Sequence, residues 1–598
     1  MKQPSFIGSF QRFFGITRFG SWLFFGALIG LIAGLGSVLF TAGIEACNSL
    51  LFEHLASYHI PVVGPEVQHP STFPEQPIRW LFFLLPTVGG LIVGWLVYTF
   101  APEAEGHGTD SVIHAFHHNR GIIRRRVPIV KIIASILTIG SGGSAGREGP
   151  VAQIGAGFGS FLADLLHLPD KDRRLMVLAG VGGGIGSIFR APLGGAIFAT
   201  EVLYREPEFE FEGLIPSIIS AVVAYSVYGF FYGWGAIFDT PAFLYHQPQN
   251  LILYLLFGFL AAGVGILYVR VFYGLRNKVF RRLGIPKHFI PAIGGLLVGE
   301  LAYFFPEILS TGYGWIQLAI YGKLTLAVLL LFPALKILAT GFTIGSGGSG
   351  GVFAPSLVIG GMLGGAVGEI ARMLLPGWDI QPAAFIMVGM AGFFAGIAKV
   401  PISALIMVAE MTGSYGLLVP TMLVAAVAYL ITGKTSIYEM QVGSRMQSPA
   451  HLGEYLVDVL DRMKVSDHMI PKQSPQIVQE NLVLKDLLKL VTRTDHEYFL
   501  TVNKEKKLTG IVALDDIRRV MLDPGIGAFI IAKDLATPTQ VGIAPTASLS
   551  DALQQLTANS VDELPVIDPA TGSILGMIRK KDLIVAYNEE LLRMKKGH

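Results

Sequence analysis

Apolar positions along the first 435 residues fall in long runs, without the period of two of a half-buried strand. The runs at 19–44 and 80–102 are long enough to span a bilayer. Others lie at 175–200, 214–238, 251–269, 288–304, 324–335, 337–368, 383–409 and 413–433. Many are shorter or far longer than one clean span, which predicts tilted and broken helices rather than a simple bundle. After Lys434 charge becomes dense and glycine thins out. Residues 455–598 read as a doubled soluble α/β region: an amphipathic helix at 482–490 and strands at 498–502 and 508–512, then a helix at 549–556 and strands at 563–567 and 574–578.

The membrane part is doubled as well. The stretch TIGSGGSAGREGPVAQIGAGFG at 138–159 recurs 205 positions later as TIGSGGSGGVFAPSLVIGGMLG at 343–364. Upstream, Lys131 matches Lys336; downstream the offset becomes 209, matching Arg190 with Lys399, Pro192 with Pro401 and Glu201 with Glu410. The repeats run over about 75–235 and 285–435. Each motif reads as a helix start. Glycines permit irregular backbone before it, and Pro150 and Pro355 suit its first turn. Such a start directs free N–H groups and a positive dipole end at one point, which is how anions are bound. Irregular backbone in a membrane must be buried or line a cavity. Close helix packing through small residues is the competing explanation, but it does not call for Arg147 and Glu148 at the centre.

Composition agrees with a polytopic membrane protein: 598 residues, 72 glycines, 15% charged residues and a mean hydropathy of +0.56. The net charge of +2 points to no partner class. Basic clusters at 120–131, 171–174 and 270–287 are predicted to face the cytoplasm, and the 52–78 link to face outward. Lys2, Arg12 and Arg18 flank the first run without a small-residue cleavage site, so a retained helix is expected. Cys47 is the one cysteine, which excludes an internal disulfide.

These motifs resemble the CLC family of chloride channels and chloride/proton antiporters, with a C-terminal pair of CBS domains. Gly146-Arg-Glu-Gly-Pro150 resembles its GREGP element, Gly351-Val-Phe-Ala-Pro355 its GxFxP element, and Tyr438 falls where the pore tyrosine is carried. The resemblance implies an all-α membrane domain with inverted repeats over 1–445, a linker at 446–460, and CBS domains at 461–525 and 526–598. It also implies a homodimer in the lipid bilayer with one pathway per subunit. Carried over, Glu148 is the gate. Gly146, Arg147, Gly149, Val352, Phe353, Ala354 and Tyr438 surround the anion, most simply chloride.

The chain departs from the family at two places. Where a GSGIP element is expected stands Gly106-His-Gly-Thr-Asp110, with His107 at the anion-contacting serine and Asp110 at the proline. His107 either donates to the anion or turns away, which leaves the choice of anion open. Where antiporters carry an inner acid, after Glu201, stands Val202, which cannot ionise. A passive gated chloride channel is therefore the favoured reading, a chloride/proton antiporter with an atypical proton route the alternative, and a CBS-regulated cation transporter the last. Glu201 and Glu410, at equivalent positions, are expected to cap or pair within helices. His114, His117 and His118 have metal-ligand spacing but no supporting cluster, so no metal is expected. No P-loop or HExxH element is present, so an enzyme is not expected. In the CBS region Gly510 to Asp516 and Gly576 to Asp582 keep the glycine and aspartate of a ribose-binding pattern. Both lack its Ser/Thr, replaced by Ala513 and Arg579. An adenine nucleotide (ATP, ADP or AMP) at Asp516 and Asp582 stands beside a purely structural, dimerising role.

Overall fold

The computed structural model describes residues 18–64, 67–70, 76–243, 245–451, 459–469, 476–494, 498–505, 507–521, 529–537, 542–559, 561–571 and 573–596. The chain forms two units, 1–450 and 451–598.

The first unit is helical. It opens with α1 (Arg18–Asn48). The first repeat follows as α2 (Arg79–Phe100), α3 (Thr109–His118), α4 (Arg126–Gly140), α5 (Glu148–Leu165), α6 (Asp170–Ile188), α7 (Pro192–Glu201) and α8 (Phe211–Tyr232). After α9 (Leu251–Gly274) the second repeat runs in the same order: α10 (Ile290–Phe304), α11 (Tyr313–Ile320), α12 (Leu326–Gly345), α13 (Phe353–Leu374), α14 (Pro382–Ala398), α15 (Pro401–Thr412) and α16 (Leu418–Thr432). Six helical stretches among the described residues are long and apolar enough to cross a membrane. The run at 175–200 divides into α6 and α7, and that at 383–409 into α14 and α15. The breaks fall at Arg190 (φ +49) and Lys399 (φ +61), equivalent residues in left-handed backbone. Each cation then reaches the C-terminal end of the next long helix. Arg190 donates to Tyr232 O, and Lys399 Nζ donates to Tyr429 O at 3.1 Å and Thr432 Oγ1 at 2.6 Å.

A local two-fold relates the repeats. Gly146 and Gly351, which are equivalent, exchange both backbone hydrogen bonds at 2.7 Å. Around them the side-chain bonds repeat: Ser135 Oγ to Ser349 Oγ at 2.9 Å is matched by Thr340 Oγ1 to Ser144 Oγ at 3.0 Å. Ser144 N to Thr343 Oγ1 at 3.0 Å is matched by Ser349 N to Thr138 Oγ1 at 3.2 Å. Gly142 and Gly347 make the turns before the motif helices at φ +101 and +104, where a Cβ would be strained. The glycines also serve packing. A Cβ on Gly155 would come within 2.0 Å of Gly180 O, and one on Gly360 within 2.3 Å of Gly389 O.

Buried charge is matched in the same symmetric way. Lys131 Nζ donates to Ala104 O and Gly106 O (3.0 and 2.7 Å), and Lys336 Nζ to Ile308 O and Ser310 O (2.9 and 2.8 Å). The two lysines tie down the strand-like leads into α3 and α11. Glu201, at the end of α7, accepts from Ile402 N, Ser403 N and Ser403 Oγ at the start of α15. Glu410, near the end of α15, accepts from Leu193 N and Gly194 N at the start of α7. The expected capping is therefore reciprocal and crosses the repeats, joining each helix to its counterpart.

The second unit holds a three-stranded sheet, β1 (Gln476–Gln479), β2 (Tyr498–Val502) and β3 (Leu508–Ala513), with β1 parallel and β3 antiparallel to β2. A two-stranded sheet follows, β4 (Glu563–Ile567) and β5 (Ile574–Arg579), antiparallel, with Ile543 adding a parallel bridge to Val566. Amphipathic helices Leu484–Val491 and Leu549–Ala558 cover the sheets through Leu487 and Leu556. The doubled pattern of the sequence is thus reproduced element by element.

Glu201 is fully buried and satisfies three donors, whereas Glu410 is half-buried and satisfies two. Each donor left unmet in the interior costs about 1–3 kcal/mol. Glu201→Leu is expected to lower the unfolding midpoint in detergent more than Glu410→Leu does, as read by static light scattering during heating; equal shifts would contradict the capping role.

Candidate functional site

The paired glycines bring the starts of α5 and α13 to one point. Glu148 is the first residue of α5 and is 2% exposed. Its side chain folds back over the two-fold, and its Oε1 accepts the backbone N–H of Phe353, the first residue of α13. A Cβ on Gly146 would lie 2.1 Å from its Oε2, and one on Gly351 2.0 Å from its Oε1. The carboxylate therefore occupies a seat floored by glycine backbone, at the positive end of α13, where a small anion would be held.

The other residues singled out from the sequence gather here. Arg147 precedes α5, its Nε buried and without a hydrogen-bond partner among the described residues. A Cβ on Gly149 would come within 1.6 Å of His107 O, so glycine is required for α5 to approach the α3 lead. Val352 and Ala354 are buried on either side of Phe353. The Phe353 ring packs between Phe189 and Phe394, at centroid distances of 4.7 and 4.3 Å. Tyr438 is fully buried, its ring 5.5 Å from that of His107, and its hydroxyl, near Thr109, makes no well-formed hydrogen bond among the described residues. His107 is 5% exposed; Nε2 lies 3.1 Å from Asp110 Oδ2, while Nδ1 is buried and unpartnered.

Two tyrosines were not singled out from the sequence. Tyr268 of α9, its hydroxyl beside Ser356, and Tyr313 at the start of α11 are buried without a well-formed hydroxyl hydrogen bond among the described residues, and both are within electrostatic reach of Glu148. In the sequence Tyr268 is one more ring in an apolar run. A hydroxyl buried without a partner is costly, so several converging on one seat mark a place built for something else to accept from them.

Two cavities border residues next to the seat without being lined by Glu148 or Phe353 themselves. One of about 760 Å³ is lined by His107, Asp110, Glu105, Arg124, Arg276 and Glu439. Arg120, Arg124 and Arg276 on its wall belong to the basic clusters expected to face the cytoplasm, so it is called the inner vestibule. The other, of about 770 Å³, is lined by Arg147, Arg190, Tyr313, Glu45 and Asp239.

Val202 follows α7, is 3% exposed, and lines neither vestibule. Its carbonyl accepts from Gln441 Nε2 at 3.0 Å. Of the histidines, His114 and His118 stand 5.1 Å apart on the inner vestibule, while His117 is bonded to Ser448 Oγ and Leu203 O. Among the described residues no cluster able to hold a metal is present. In the second unit Asp516 Oδ2 accepts from Ala513 N at 3.3 Å. Asp582 is gripped by Arg579 through Nε at 2.9 Å and a terminal nitrogen at 3.0 Å. Those hydrogen bonds hold the Arg579 guanidinium above its ordinary value.

Residues 89–433 match the family model described as "Voltage gated chloride channel", and 465–523 and 532–589 match that of the CBS domain. The chain belongs to the CLC family. It is an integral membrane protein that transports anions and carries a soluble C-terminal CBS pair. It is 32% identical over 430 residues to the "H(+)/Cl(-) exchange transporter ClcA" of Vibrio vulnificus, covering 70% of this chain and 88% of that one. It is 30% identical over 417 residues to the protein of the same name from Cronobacter sakazakii, covering 68% and 86%. Among solved structures it resembles a slow cyanobacterial Cl-/H+ antiporter (TM-score 0.63, 23% identity, covering 70% of this chain and 96% of that one), a likeness of fold.

The seat has no room for a Cβ on Gly351, but its neighbour there is the end of a flexible side chain rather than backbone. Gly351→Ala is expected to push the Glu148 carboxylate out of its seat and to flatten the pH dependence of chloride efflux from liposomes. An unchanged pH profile in a folded variant would show that the carboxylate does not gate from that position.

Proposed function

We propose that this CLC protein exchanges chloride for protons, with Glu148 as the group that both gates the anion path and carries the proton. The observation behind this reading is an ionisable side chain, Glu148, sitting on the Phe353 N–H, with His107 on one cavity and Arg147 on another. Relatives sharing about a third of their residues bear the exchanger name. Chemically, a carboxylate competes with an anion for the same N–H donors when charged and withdraws when protonated. Anion entry and proton binding are then linked at one site. The Tyr438 hydroxyl is the donor left for the anion, with Gly146, Arg147, Gly149, Val352, Phe353 and Ala354 shaping the seat. The unit of function is a homodimer with one pathway in each subunit.

The passive gated channel favoured by the sequence reading has one observation on its side: Val202 offers no proton station at the position where antiporters carry an acid. Reversal potentials in proteoliposomes separate the two. Exchange shifts the reversal potential with both the chloride and the pH gradient and drives protons uphill; a channel follows chloride alone. Glu148→Ala is expected to abolish proton coupling and leave a chloride leak insensitive to pH. A variant that pumps protons like its parent would move the gate elsewhere.

The CBS pair is read as an adenine-nucleotide sensor in which Asp516 is the available ribose acceptor and Asp582 is occupied by Arg579. Arg579→Thr, which restores the hydroxyl of the pattern and releases Asp582, is expected to tighten ATP, ADP or AMP binding to the full-length protein by calorimetry. No heat from either protein at millimolar nucleotide would leave the pair with a structural role.

A further inference from the structure

The inner proton station is absent from its usual place, yet a titratable pair stands between the inner vestibule and the seat. His107 is 5% exposed and Asp110 17%, and they meet through Nε2 and Oδ2 at 3.1 Å. Asp110 is held by the N–H groups of Glu439 and Met440, at 3.3 and 3.1 Å, so its position is fixed by backbone rather than by a flexible partner. Both residues line the inner cavity. The other ring nitrogen of His107, Nδ1, is buried and has no partner among the described residues; the ring lies 5.5 Å from that of Tyr438, and the carbonyl packs against Gly149, the residue after Glu148. One imidazole nitrogen thus meets a carboxylate at the vestibule and the other is buried, on a residue whose backbone packs against the start of α5. That is the arrangement of a relay, since imidazole can accept on one nitrogen and release from the other.

We propose that His107, paired with Asp110, passes the proton between Glu148 and the inner vestibule, in place of the acid missing at Val202. The proposal rests on the exchange reading. A proton leaving the Glu148 carboxyl, directly or over a water, is taken up by Nδ1. The imidazolium is balanced by Asp110. The Nε2 proton then leaves to Asp110 and vestibule water, and the neutral ring resets; the reverse order serves the opposite direction. No bond between heavy atoms forms or breaks. The charged groups around the pair are Glu103 and Glu105 from the lead into α3, His114 on α3, Lys131 on α4, Arg276 after α9 and Glu439 after α16. Two of the acids are already paired, Glu103 with Arg124 and Glu439 with Arg276. Lys131 is bonded to the lead carbonyls. Glu105 is engaged by the Tyr98 hydroxyl, and Asp110 is the acid in contact with the ring.

The test is proton flux per chloride in liposomes containing the purified full-length protein. The unaltered protein must first drive protons uphill on a chloride gradient; if it does not, the exchange reading fails and the relay with it. Given exchange, His107→Gln keeps the size and hydrogen bonding of the side chain but cannot titrate. It is expected to retain chloride flux while protons per chloride fall about tenfold or more. His107→Glu, which titrates, is expected to retain coupling. Undiminished coupling in His107→Gln overturns the relay. Equal loss of chloride and proton flux in both His107→Gln and His107→Ser also overturns it, assigning the residue to the anion path alone.

Discussion

Two hydrogen bonds between Gly146 and Gly351 fix the position of everything else in the membrane unit. They lock two helix starts against each other at a two-fold, deep in a region where free N–H groups find no water. Helix starts so placed must be offered an acceptor. Phe353 N is given one by Glu148, a side chain from the opposing repeat. The same carboxylate can be neutralised by a proton, so the structural need for an acceptor and the capacity for gating reside in one group.

That arrangement survives in an apolar setting because the surrounding charges are satisfied in symmetric pairs. Lys131 and Lys336 bind the carbonyls of the leads into α3 and α11. Glu201 and Glu410 cap each other's helices. Arg190 and Lys399 occupy left-handed breaks and reach the ends of α8 and α16. Against this background five of the groups without a partner among the described residues bear on the site: Nδ1 of His107, Nε of Arg147, and the hydroxyls of Tyr268, Tyr313 and Tyr438.

Much of this was legible in the chain. The offsets of 205 and 209 marked the repeats, and the Gly-rich motifs with Pro150 and Pro355 marked the helix starts, because backbone irregularity inside a membrane has few permitted uses. Glu148 was conspicuous as a charge where packing would avoid one. The breaks at Arg190 and Lys399 were not readable, since a long apolar run does not reveal where a single residue turns left-handed. Nor was the crossing of the Glu201 and Glu410 caps, which depends on how two distant helix ends meet. Tyr268 and Tyr313 were hidden for the same reason: a buried hydroxyl becomes informative only when its surroundings show that nothing pairs with it.

The central claim is that the Glu148 carboxylate stands in the seat of the transported anion. The most direct measurement is the anomalous scattering of bromide in crystals of Glu148→Gln and of the unaltered protein. The account predicts that the variant's amide swings away and a bromide peak appears between Gly146, Gly351 and the Phe353 N–H, where the carboxylate lies now. A variant that binds bromide elsewhere, with the seat still filled by residue 148, would contradict it.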